Sequence, residues 1–490
     1  MRWRRYEALI LLALPIAWSV LVFAPSYGTD PDSYFHVACA KRLVAGGCLR
    51  TLPWLPYTSI ADPFPNMFLG QHVVLAPIAL LFGPALALRV GILFVSSALA
   101  ASLAIVLRRH GVARPAPWVA LGLLAMPTTL VYAVYLKGAT TFFVVMIWFV
   151  DAAWSGARRR TFVLAWVSVY CYVGAAVLVP FVIALALAHR ATGDRWRVDL
   201  IVATLAGLAA GMILHPGWPA QWSYVWRELA SINADDPRLI AGDFKGAEWA
   251  PMSGALIASM AGPALIAWGV VIVRRLGEAP RVAPGAIAAA VIAFAMFGAS
   301  LVGGSKPLQL FALFTLIALP VIAHAQTWPR WVPMVAALVA AALCVRNVAR
   351  LRAEMDEDRA LGVHPDDYAA LASWLDERTS PNEVVVAPWD DFPGLFLFGA
   401  DERYVAGWNT RFLLEGDDQR FTAYYLLYHG DVADPEALLP RIFDGARFLI
   451  VRRDPRTPGE AKLAASLEHD THMESVASPS PVWRVYRVAR

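Results

Sequence analysis

The chain has 490 residues, 58% of them hydrophobic and only 16% charged, with a net charge of +4 and a mean hydropathy of +0.52. Soluble domains run nearer half apolar and a quarter charged, and here the apolar residues come in long blocks, so the chain is a polytopic α-helical membrane protein. Basic residues, nearly all Arg, sit in short clusters between those blocks, which is a topology signal and not a nucleic-acid footprint. There is no Walker loop, dinucleotide fingerprint, GxSxG or HExxH motif, so nothing indicates use of ATP or of a nucleotide-activated donor.

The start, "MRWRRYEALILLALPIAWSVLVFA", reads as an uncleaved first span over about 7–25, with Arg2, Arg4 and Arg5 inside. It delivers "TDPDSYFHVACAKRL" to the outer face. Asp30 and Asp32 stand two residues apart there, able to converge on one cation or one hydroxyl. The bland alternative makes Asp32 the N-cap of the helix that follows. That helix reads as interfacial, with Phe35, Val37 and Leu43 toward the membrane and Lys41 and Arg42 toward water. His36, one turn in, suits a metal ligand or an orienting group. A Cys39–Cys48 disulfide is open outside the cytoplasm. Asp62, in "SIADPFPN", is a further outer carboxylate in a turn before Pro.

The next apolar run, 67–83, is short and holds Gln71, His72 and Pro77. If it crossed, every later Arg cluster would fall outside. Taken as a re-entrant or interfacial helix, it leaves Arg108, Arg109 and Arg114, then Arg158 to Arg160, Arg190 to Arg197, Arg274 to Arg281 and Arg330 all on the inner side. The count is then about 11 spans. Lys137 and Lys306, two of only five lysines, fall at outer helix ends. Cations there suit a lipid-linked phosphate or simple snorkelling. The Trp-rich outer loop 215–252 carries Arg227, Asp235, Asp236, Lys245 and Glu248. Composition shifts near 347, so residues 1–346, with an outer loop over 26–87, read as the membrane domain. Residues 347–490 read as a small extracytoplasmic α/β domain. Its helical "DDYAALASWLDER" and strand-like "EVVVAP", "RFLIVRR" and "VWRVYRVAR" carry that reading.

This layout resembles the membrane glycosyltransferases of the GT-C superfamily. "DPDSYFHVACAKRLVAGG" is similar to their acidic first-loop motif, closest to the oligosaccharyltransferase-like branch. "VVVAPWDDFPG" looks like a relative of that branch's Trp-Trp-Asp segment, with Pro388 in place of the first Trp. The resemblance implies inverting transfer of a sugar from a polyprenyl-phosphate-linked donor to a glycan, lipid or protein acceptor. Asp32 would be the base and Asp30 its second. Lys137 or Lys306 would hold the donor phosphate. Asp62, His72, Glu248, Trp389 and Asp390 would bind substrate or acceptor. Mg²⁺ or Mn²⁺ on Asp30, Asp32 and His36 is the metal option. Arg- and Ala-rich usage points to a bacterial inner membrane, with the N-terminus cytoplasmic. A transporter or flippase of lipid-linked intermediates and a non-catalytic envelope scaffold are the rivals. The first calls for midplane charges and repeated halves, which the sequence lacks. The second leaves the carboxylate pair unexplained.

Overall fold

The computed structural model describes residues 30–230, 253–276, 282–303, 306–326, 331–360, 364–399, 402–476 and 479–488, with a few positions between 14 and 23 and positions 238, 328 and 329. Most of the first span, Arg227's side chain, Asp235, Asp236, Lys245 and Glu248 lie outside the described residues.

Helix α1, Pro31–Leu43, starts on Pro at its first position, carries Asp32 in its first turn and ends on Lys41 and Arg42. Each of these matches its place along the helix. The cap is Asp30, whose Oδ1 accepts the Asp32 backbone N–H at 2.9 Å; Asp32 itself is left free of that duty. The residues from Ser33 to Ala40 are all buried. Phe35, expected toward lipid, is covered by the C-terminal domain instead. Local periodicity carries no sign of such a distant covering surface.

Helix α2, Leu69–Leu81, has 13 residues and is therefore about 20 Å long, short of the hydrocarbon core. Gln71 and His72 are buried in protein while Val73, Val74, Leu80 and Leu81 are exposed. Then come α3 (Pro84–Arg109), α4 (Pro115–Ala125), α5 (Pro127–Val134), α6 (Ala139–Trp154), α7 (Arg158–Cys171), α8 (Leu178–Ala191), α9 (Val198–Leu214) and α10 (Ala220–Ala230). The membrane domain continues with α11 (Gly254–Leu276), α12 (Pro284–Gly303), α13 (Lys306–His324) and α14 (Trp331–Ala360). Among the described residues six helices are long and apolar enough to cross a membrane, and Leu69–Leu81, Pro115–Ala125, Ala139–Trp154 and Val198–Leu214 are shorter apolar helices. The composition shift near 347 falls inside α14.

One buried carboxylate gathers two of the arginine clusters. Asp151 near the end of α6 receives Arg109 at 3.2 Å, His110 at 3.2 Å and Arg160 at 3.1 Å. The ends of α3 and α6 and the start of α7 therefore lie on the same side, whichever side that is. Elsewhere, α7 and α9 pack backbone to backbone. A Cβ on Gly207 would stand 2.4 Å from the Phe162 carbonyl oxygen, and one on Gly211 would stand 2.7 Å from that of Trp166. This is the small-xxx-small contact of membrane helices.

The C-terminal domain adds α15 (Pro365–Asp376), β1 (Val384–Val386), α16 (Phe392–Phe398), β2 (Arg403–Tyr404), α17 (Arg411–Gly416), α18 (Asp418–Tyr428) and α19 (Pro435–Ile442). It ends with β3 (Phe448–Arg452), α20 (Pro458–His469), β4 (Met473–Val476) and β5 (Trp483–Val488). The sheet order is β2-β1-β3-β5-β4, with β1 parallel to β2 and β3 and with β5 antiparallel to its neighbours. The three strand-like stretches read from the sequence are β1, β3 and β5. Alternate residues divide between two cores, as a pleat dictates. Val385, Phe448, Ile450, Trp483 and Val485 face the membrane-domain side. Val384, Val386, Leu449, Val451 and Tyr486 face the layer of α18, α19 and α20.

Overpacking a close helix contact costs about 1–3 kcal/mol. Gly207→Val will therefore lower the thermal unfolding midpoint of the purified protein. Gly254→Val, where an added Cβ would meet nothing within 4 Å, will leave it nearly unchanged. Equal midpoints for the two variants would contradict the α7–α9 packing.

Candidate functional site

The mouth of α1 is built from places far apart in the chain. Ser33, buried in its first turn, accepts the Leu136 N–H at 2.9 Å, which pins the turn between α5 and α6 onto α1. The next residue is Lys137. Its Nζ donates to Asp30 Oδ2 at 2.5 Å and to Asp32 Oδ2 at 3.2 Å. Trp408, from the loop after β2, donates its Nε1–H to Asp32 Oδ1 at 3.3 Å and stacks on Phe35 with ring centroids 4.3 Å apart.

Electrostatics separate the two carboxylates. Burial pushes Asp30 up to about 6, with Lys137 opposing and the Asp32 charge assisting. Burial also raises Asp32, but Lys137, His36 and Lys306 outweigh it, and the net result is a carboxyl held below its ordinary value. Lys306, at the start of α13, thus acts on the same centre. Burial lowers His36 to about 4. Its Nδ1 shares a hydrogen bond with His72 Nε2 at 3.0 Å.

The remaining expected site residues fall in different places. His72 joins the centre through His36. Asp62 is exposed in its turn before Pro63 and, among the described residues, forms no ion pair or hydrogen bond with the centre. Trp389 and Asp390 lie beyond the end of β1, around a separate cavity in the C-terminal domain. Asp391 is buried: it accepts from Tyr368 Oη at 2.7 Å, Trp483 Nε1 at 3.0 Å and Arg452 Nη2 at 2.8 Å. Tyr368 in turn packs edge-on against Tyr34 of α1, centroids 5.3 Å apart. Cys39 and Cys48 are both free thiols. Among the described residues no group of three His, Cys, Asp or Glu side chains stands ready to hold a metal ion. The Lys137 ammonium occupies the place between the carboxylates, and His36 is turned toward His72. The residues present do not fit a resident metal.

Sequence reasoning misses Trp408. Its backbone φ of 59° is a rare conformation for a bulky residue and stores strain. The local signal is slight: a Gly407-Trp408-Asn409 turn resembles any other loop. Only the docking of the C-terminal domain brings it to α1. That docking is also held by Arg42, whose Nη2 donates to the Gly399 carbonyl at 2.9 Å and whose guanidinium lies 4.2 Å from the Phe396 ring centre.

No family model matches the sequence, and no curated protein matches it. The fold does match solved structures. ArnT from Cupriavidus metallidurans bound to undecaprenyl phosphate gives a TM-score of 0.60 at 15% identity, over 98% of this chain and 97% of that one. The Archaeoglobus fulgidus oligosaccharyltransferase gives 0.59 at 10% identity, over 91% of this chain and 69% of that one. The mycobacterial arabinofuranosyltransferase AftD gives 0.60 at 15% identity, over 99% of this chain but 42% of AftD. What is shared at such identities is the fold. This chain shares the architecture of these structures, a helical membrane domain with a small C-terminal sheet domain.

A hydrogen bond to the charged form of a carboxyl favours ionisation. Trp408→Phe keeps a ring over Phe35 and lacks the N–H, so Asp32 will titrate at higher pH than in the wild type. Carbon-13 carboxyl NMR of the two proteins reads the shift; identical titrations would show that the indole does not act on Asp32.

Proposed function

We propose that this protein is an inverting glycosyltransferase that moves a sugar from a polyprenyl-phosphate-linked donor to an acceptor hydroxyl at the outer face of a bacterial inner membrane. The observation that carries the reading is the Lys137 ammonium held between Asp30 and Asp32, in a fold shared with ArnT. The solved ArnT is bound to undecaprenyl phosphate.

Inverting transfer calls for a carboxylate to take the acceptor proton and for a cation to receive the charge left on the departing phosphate. Both are present within one hydrogen-bond network. Asp32 stays ionised and orients the acceptor hydroxyl. Asp30, titrating near 6, is the better matched proton acceptor, since a general base works best near the operating pH. The sequence-based expectation made Asp32 the base and Asp30 its second. Lys137, with Lys306 contributing to the same field, holds the leaving phosphate. Trp389 and Asp390 are the acceptor-binding residues of this reading. A divalent cation would find two carboxylates here but would have to displace Lys137.

The test is release of polyprenyl phosphate from a sugar-charged polyprenyl phosphate by protein reconstituted in liposomes. Asp30→Asn and Asp32→Asn will each lower the rate by about 10²–10⁴-fold, the usual worth of a positioned acid–base group, with unchanged membrane insertion. The wild-type rate will rise from pH 4.5, reach half its maximum near pH 6 and level off above about pH 7, because Asp30 must be ionised to accept a proton. Full activity of the Asp30→Asn/Asp32→Asn double variant, or a flat profile from pH 4.5 to 8, would remove the reading.

A further inference from the structure

The C-terminal domain holds a cavity of about 560 Å³, within the range of small-molecule sites. It lies beyond the carboxyl ends of β1 and β3. The chain leaves β1 for β2 on one side of it and returns to β3 on the other. A crevice at such a reversal in a parallel sheet is where open α/β folds bind ligands. Trp389 and Asp390 follow β1, Arg452 closes β3, and Glu460 stands in the first turn of α20.

The lining combines fixed rings with paired charges. Tyr424 Oη donates to the Ala387 carbonyl at 2.9 Å and Tyr428 Oη to that of Ile450 at 3.0 Å. Their rings stand 4.8 Å apart. Three cations line the cavity, Arg452, Arg456 and Lys462, against three carboxylates, Asp390, Asp431 and Glu460. They are paired: Arg452 with Asp390 at 2.9 Å, Arg456 with Asp390 at 2.7 Å, and Lys462 with Asp431. Arg452 is only 3% exposed, yet its Nε has no partner.

This balance selects among ligands. A phosphate would gain no net field and would have to break an existing pair. An apolar molecule would bury charged groups against hydrocarbon. A sugar hydroxyl both donates and accepts, so it can bond to a guanidinium and a carboxylate without separating them. The apolar face of a sugar ring suits the half-buried indole of Trp389.

We propose that this cavity binds a neutral sugar unit of a glycan. As a hold on the acceptor's distal sugar it deepens the transfer reading and rests on it; as a binding site it stands on the cavity alone. The tyrosines belong to the outer core of the domain, whereas Tyr368, which packs on Tyr34 of α1, belongs to the inner one. Arg452 joins the two sides, with Asp390 in the cavity and Asp391 against Tyr368.

Saturation-transfer NMR on the full chain in nanodiscs tests this, using a panel of neutral hexoses, pentoses and N-acetylhexosamines with their phosphorylated counterparts. At least one neutral sugar will receive saturation, and its phosphorylated form will receive less. Trp389→Ala and the exposed-site variant Arg456→Ala will each weaken that binding about tenfold or more. Asp32→Asn will bind as wild type, so failure of the transfer reading leaves this result standing. Saturation of no neutral sugar, preference for the phosphorylated forms, or undiminished binding in folded Arg456→Ala would overturn the site.

Discussion

A single lysine between two carboxylates organises this protein. Lys137 sits in the turn between two short helices, and its ammonium lies against Asp30 and Asp32 at the start of another. Away from bulk water neither charge type is tolerated alone. The turn, the helix start and the indole from the C-terminal domain must therefore keep their relative places. Ser33 fixes the turn, Asp30 caps the helix, and Trp408 closes the far side of Asp32.

The C-terminal domain is thus part of the centre and not an appendage to it. One face of its sheet packs toward α1 through Tyr368 and Trp483, and the buried Asp391–Arg452 network ties that face to the cavity at the carboxyl edge. The same sheet supplies the roof of one site and the wall of another. Its period-two pattern makes both possible, since adjacent residues of β1 and β3 serve opposite layers.

Much of this is legible in the sequence because it rests on local rules. Long apolar blocks mark a membrane protein, and the later arginine clusters join the N-terminal arginines on one side only if 67–83 is demoted. Asp151 binding both Arg109 and Arg160 places two of the later clusters together. Asp30, Asp32 and Lys137 can be placed near one another because helix ends on one face are few. Trp408 cannot, since its approach depends on how two domains dock. The burial of Phe35 is hidden for the same reason. The alternative of Asp32 as the cap fails because Pro31 is the first helical residue, which moves the cap back to Asp30. Residue type and motif group Asp62 and the Trp389–Asp390 pair with the centre. Distance in the fold separates the exposed turn and the cavity from it.

Competition for one ammonium is the core of the account, and phosphate affinity measures it most directly. Native mass spectrometry of the full chain titrated with undecaprenyl phosphate will show weaker retention by Lys137→Met than by wild type. Retention will be stronger in Asp30→Asn, where a competing carboxylate has lost its charge. Equal retention by all three proteins would contradict the claim that the donor phosphate lands on Lys137.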